Sequence, residues 1–167
     1  MIWWHQAQFA LWGHPELLDH TLSWYETVEP IARQIAERQG FKGIRWMKMT
    51  DPSGTEAPSK VGSFLIWQQP HLIYLAELLY RANPSEELLK KYNSLIQETA
   101  EFMYSFATYE EEHDRYVLKG AIPAQETLRA AETVNPPFEL RTGISPCKLP
   151  KHGVNVQGWN VYPNGMC

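Results

Sequence analysis

Residues 85–106, SEELLKKYNSLIQETAEFMYSF, place Leu89, Tyr92, Ile96, Thr99, Met103 and Phe106 at intervals of three and four over about five turns, the spacing of one helix face. Ser85, with Glu87 and Leu88 close behind it, reads as the start of that helix. This is the clearest periodicity in the chain. Working back from it, FLIWQQPHLIYLAELLYRAN (64–83) reads as a third helical segment with Pro70 near its first turns, and Asn83-Pro84 separates the two. Between Glu16 and Gln39 the residues Leu18, Leu22, Tyr25, Val28, Ala32 and Ile35 form one stripe, with Glu26, Glu29, Arg33 and Glu37 largely off it. Gly40 closes this helix, and Pro30 is expected to kink or interrupt it, because proline removes a backbone donor. The first segment, IWWHQAQFALWG (2–13), is apolar around most of its circumference and is expected to be a largely buried helix stopped by Gly13. FKGIRWMKMTDPSGTEAPSKVGS (41–63) is a long irregular loop, and loops of that length inside a compact domain are usually functional or disordered. An extended piece is expected around Tyr116–Leu118. The fold class is all-α, built of helical hairpins, with no short solenoid repeat in view.

The 15 Lys and Arg against 19 Asp and Glu give a net charge of −4, which argues against a nucleic-acid partner. No apolar run approaches the ~18 residues of a membrane-crossing helix, and Met1 opens no basic-then-apolar signal segment. No membrane partner and a cytoplasmic location are therefore expected. The aromatic content of 13% is the outlying number, and several rings stand beside His, Gln and Arg. Sugar-binding clefts combine aromatic faces with a few planar hydrogen-bonding groups in this way, although the same rings could fill the core of a helical domain.

Residues 141–167 differ from what precedes them. They hold no Asp or Glu, three basic residues (Arg141, Lys148, Lys151), four Gly, three Pro and both cysteines, while residues 1–140 carry a net −7. The stretch has neither helix nor strand periodicity and reads as an irregular tail, separate from a domain at 1–140. Cys147 and Cys167 lack the spacing of a zinc site or a disulfide framework.

Glu126, in IPAQE, is the best candidate for an acid or base: a carboxyl held after a proline-containing turn among apolar neighbours can keep its proton and donate it to a leaving group. Its bland counterpart is a solvated loop glutamate. Trp3, Trp4 and His5 open the first helix, where His5 is a candidate hydrogen-bonding group for a ligand or a packed core histidine. Arg45, Trp46 and Lys48 in the long loop can clamp hydroxyls or an anion, or form a basic surface loop. Trp67, Gln68, Gln69 and His71 concentrate planar polar groups beside an indole, a density that packing explains poorly. No His-x-x-x-His or His-Glu-x-x-His spacing, Gly-x-Ser-x-Gly elbow, phosphate loop or dinucleotide fingerprint occurs, so neither a metal nor a cofactor is expected.

The succession WWHQAQFALWG, QGFKGIRWMKMTDPSG, VGSFLIWQQPH, ETAEFMYSFATYEEEHDRYVLKGAIPAQE and VNPPFEL resembles the catalytic domain of six-hairpin glycosidases, in the branch related to glycoside hydrolase family 65 and its maltose and trehalose phosphorylases. The likeness covers residues 1–140 and lies in the order and spacing of the pieces. It implies an (α/α)6 toroid, of which the helices here make up only part, with sugar bound at one end of the axis. It also implies that Glu126 is the general acid. Gln125 and Thr127 stand where the family has Asp and Tyr. Trp3, His5, Arg45, Trp46, Lys48, Gln68, Gln69 and His71 become candidates for the pocket wall, and a carbohydrate the expected ligand. Inversion by water would need a second carboxylate roughly 6.5–9.5 Å away; residues 1–140 offer no candidate for it.

Read one frame over, with codons chosen at degenerate positions, residues 141 onward give YWHFALQIAQTWRKRSG, an amphipathic helix of the kind that follows VNPPFEL in the family. A base lost near codon 141 is thus one expectation and a genuine flexible tail the other. A chain that is a fragment would leave apolar helix faces uncovered and self-associate through them. Two other classes stay open: a non-catalytic helical module binding a glycan or a protein, and an isomerase of the related toroid type using His5 and His71 as acid and base.

Overall fold

The computed structural model describes residues 2–122, 129–143, 155–156 and 159–160, and these are mainly helical. They comprise helices α1 (Ile2–Leu11), α2 (Pro15–Arg38), α3 (His71–Ala82), α4 (Glu86–Phe106) and α5 (Pro137–Gly143). Strands β1 (Thr108–Glu110) and β2 (Arg115–Val117) pair antiparallel, as do β3 (Asn155–Val156) and β4 (Trp159–Asn160). Short connections, Trp12–His14 and Asn83–Ser85, join α1 to α2 and α3 to α4. Helix α2 packs on α1, α3 and α4, and α3 packs on α1 and α4.

The stripes anticipated on α2 and α4 are the buried faces. Leu18, Leu22 and Val28 meet Leu72, Leu75, Ala76 and Leu79 of α3 and Tyr92 and Ile96 of α4 in one apolar cluster. A second cluster gathers Ala36, Ile66, Phe102, Phe106, Leu118 and Ala121, with Leu140 of α5 against it. Ser85 begins α4 in extended conformation, its Oγ accepting the Leu88 N–H at 3.2 Å, and Glu86 and Glu87 complement the positive end of the helix. Gly40 ends α2 at φ +81°, where the Gly40 and Phe41 N–H groups cap the Glu37 and Ala36 carbonyls.

Three local expectations change. Pro30 does not interrupt α2, which runs unbroken for 24 residues; burial of its apolar stripe and the Arg33 links to Glu29 and Glu98 hold the chain across the missing donor. Helix α1 is not largely buried: only Ala7 is, and Trp4, Leu11 and Trp12 are 73%, 67% and 70% exposed, because α2 and α3 pack against one side of the helix. Helix α3 begins at His71 and not at Phe64, because Pro70 sits at its N-cap and the preceding backbone is bonded elsewhere, as set out below. The extended stretch near Tyr116 is β2, paired to β1 with Tyr109 opposite Tyr116. Helix α5 runs through residue 140, and beyond it only β3 and β4 are among the described residues.

The loop 41–63 is drawn into the structure at Gly43. At φ +71°, a Cβ there would fall against the Glu98 carbonyl oxygen and 2.6 Å from the Phe102 nitrogen of α4, so only glycine lets the loop approach so closely. Ile44 N–H then bonds Glu98 C=O at 3.0 Å and Arg45 N–H bonds Ala32 C=O at 3.1 Å, wedging the next residues between α2 and α4.

Candidate functional site

Arg45 and Trp46 emerge from that wedge as buried side chains. Arg45 is 1% exposed; its guanidinium donates to Gln39 Oε1 (2.6 Å), the Ser63 carbonyl (2.6 Å) and the Leu65 carbonyl (3.3 Å), and lies 5.1 Å from the Phe102 ring centroid. Burial pushes it down to about 10, and the charge is met by carbonyl dipoles and aromatic faces. Trp46 donates its indole N–H to Thr99 Oγ1 at 2.9 Å and packs edge-on against Tyr25. The Gln69 amide accepts the Trp46 N–H at 2.9 Å and donates to the Ile44 carbonyl, as the peptide group of a neighbouring parallel strand would. Gln68 donates to the Trp46 and Leu65 carbonyls, both at 3.0 Å. Four of the candidates thus form one buried network, in which Trp46, Gln68 and Gln69 fix the loop to the turn Trp67–Pro70 and Arg45 holds the Ser63–Leu65 stretch just before it.

Above this network the rings form a row. Trp67 lies 5.4 Å from His71 and 6.2 Å from Phe138 of α5; His71 lies 5.9 Å from Trp3, and Trp3 is 5.4 Å from Trp4 and 5.5 Å from Tyr74. Trp3, Trp67 and His71, coded in two distant segments, are therefore neighbours. Burial pushes the His71 imidazole down to about 4, which keeps it neutral and suited to stacking. His5 is exposed on α1, outside the row, and Lys48 is half-buried two residues beyond Trp46. Among the described residues no group of three His, Cys, Asp or Glu side chains is placed to hold a metal, and no helix is long and apolar enough to cross a membrane. A depression of about 410 Å³ lies elsewhere, lined by Gln6, Thr21, Trp24 and Tyr25 among others.

Glu126 lies outside the described residues, in a segment with Ile122 bonded before it and Asn135 bonded after it. Ile122 donates its N–H to the Phe64 carbonyl at 3.0 Å, which starts that segment beside the Ser63–Trp67 stretch. On the far side, Asn135 closes the excursion onto Leu118: its Oδ1 accepts the Leu118 N–H at 2.8 Å and its own N–H bonds the Leu118 carbonyl at 2.9 Å. Asn135 adopts φ +53°, a conformation asparagine tolerates better than most residues.

Two residues here escaped the sequence reading. Asn135 carried a faint signal, as the residue before a Pro-Pro pair. Glu139 carried none, since a glutamate in the first turn of a helix is ordinarily solvated. Yet Glu139 is fully buried, and its carboxyl accepts the Ile66 N–H at 3.2 Å and a further backbone bond from Trp67. Burial raises it to about 7, the two backbone bonds opposing that only in part. No family model and no curated protein matches the chain.

Proposed function

We propose that this chain carries part of an (α/α)6 toroid and is a carbohydrate-active domain of inverting glycoside hydrolase or phosphorylase type, with Glu126 as general acid. The observation that carries the reading is the convergence of Trp3, Trp46, His71, Phe138 and Glu139 on the stretch Ile66–Pro70, with the segment leading to Glu126 bonded beside it through Ile122 and Phe64. An indole and imidazole row suits the C–H face of a pyranose, and the unpartnered Trp67 Nε1 and Gln68 Oε1 beside it are the polar atoms left for its hydroxyls. In the proposed step the Glu126 carboxyl gives its proton to the glycosidic oxygen as that bond breaks. Water or phosphate attacks the anomeric carbon from the opposite face.

The test is release of nitrophenol from a panel of p-nitrophenyl α- and β-glycosides, with and without phosphate, by wild type and Glu126→Gln. Loss of turnover with sugar binding retained supports the acid role; a variant equal to wild type in turnover and binding removes it. A second reading has its own observation. The exposed Trp4, Leu11 and Trp12 suit a module that associates with a second copy or another helix, without catalysis, and we propose self-association through this face.

A further inference from the structure

Ser63 to Trp67 is held by two buried ionisable side chains that touch different backbone groups. Arg45 takes the carbonyls of Ser63 and Leu65, and Glu139 takes the amide of Ile66 and lies close enough to that of Trp67 for it to favour the carboxylate. Buried charges ordinarily pair with each other or are neutralised. Here each is spent on the backbone of one short segment, the segment that delivers Trp67 and Gln68. Those two residues keep buried polar atoms without a protein partner: the Trp67 Nε1 donor and the Gln68 Oε1 acceptor, with Glu139 Oε1 a third. Buried unpartnered groups on successive residues call for an explanation, and a hydroxyl group supplies one, since it accepts from an N–H and donates to a carbonyl.

We propose that Glu139 is the positioning residue of this site, holding the Trp67 indole and the Gln68 amide ready for a carbohydrate hydroxyl. The ligand named here rests on the carbohydrate reading; the positioning role rests on the contacts alone. The surrounding charged groups are mostly engaged. Arg45 gives its two terminal nitrogens to Gln39 and the two carbonyls and keeps a buried Nε without a protein partner. On α3, His71 is neutral above about pH 4. On α2 and α4, Arg33 is paired with Glu29 and Glu98 and Arg38 with Glu56, while Glu101 keeps a buried Oε2 without a protein partner. Lys119, beyond β2, is paired with Glu110. The Glu139 carboxyl, protonated below neutrality and ionised above it, tightens its grip on the two amides as it loses the proton.

The experiment follows the backbone amide resonances of Ile66 and Trp67 and the Trp67 indole resonance of the full chain from pH 5 to 9, in wild type, Glu139→Gln and Glu139→Ala, with maltose and cellobiose titrations at pH 8. The three signals are expected to move together with a midpoint near 7 in wild type and to lose that transition in both variants. Sugar affinity is expected to fall at least tenfold in Glu139→Ala and to recover to within about threefold of wild type in Glu139→Gln. Signals that stay flat, or that titrate unchanged in Glu139→Gln, overturn the positioning role whatever the sugars do. The expected titration with no sugar bound by wild type supports the positioning role and overturns the carbohydrate reading instead.

Discussion

Two titrating side chains set opposite pH dependences on stability. Folded Glu139 keeps its proton to about pH 7, against 4.5 when unfolded, so its contribution is complete below pH 4.5 and lost as pH rises through 7. His71 runs the other way: held near 4 against an ordinary 6.5, it contributes fully above 6.5, and that contribution is lost as pH falls through 4. Glu139→Gln, which keeps the shape and removes the charge, should therefore be more stable than wild type by about 3 kcal/mol at pH 8 and equal to it below pH 4.5. Urea midpoints over that range check this, and a difference that stays constant with pH would contradict the burial of the carboxyl. Asn135→Ala loses the acceptor for Leu118 and the tolerance for positive φ, and should cost about 1–3 kcal/mol in the same measurement.

At the level of elements, α4 was readable in advance because its pattern, cap and length agree: the Ser85 cap and the stripe through Tyr92, Ile96 and Thr99 are all found. Ser85→Ala should cost about 1 kcal/mol through the lost Leu88 bond. What escaped the pattern was settled by contacts between distant segments. The start of α3 depends on Arg45 and Glu139 claiming the backbone of residues 63–67, and no periodicity within 64–83 reports that. Pro30 was read by its local effect, whereas packing of the α2 stripe against α3 and α4 decides the outcome. Pro30→Ala restores a donor for the preceding turn and should stabilise the protein by about 1–3 kcal/mol; a loss of stability would show that the helix is shaped around the ring. The candidate residues were found as types in short clusters, and their division into a ring row and a buried network needed the fold.

Across the whole molecule, the described residues leave large apolar side chains exposed around α1. Trp4, Leu11, Trp12 and Leu17 are exposed large apolar side chains on α1, the turn after it and the start of α2, the kind of surface that association covers. Sedimentation velocity over a hundredfold concentration range should show association in wild type, weakened in the Trp4→Ser/Trp12→Ser double variant; a concentration-independent monomer would remove that proposal. The site lies on the inner side of the same helix, where Trp3 meets His71, so association through the outer face leaves the ring row intact. The central claim is that this row, with the unpartnered Trp67 Nε1 and Gln68 Oε1 beside it, receives a sugar. Indole resonances of ¹⁵N-tryptophan-labelled protein, titrated with maltose and cellobiose, report on it directly. Saturable shifts at Trp67 and Trp3, with Trp24 unmoved, are the predicted result; no shift at any indole, or shifts confined to the exposed Trp4 and Trp12, would contradict it.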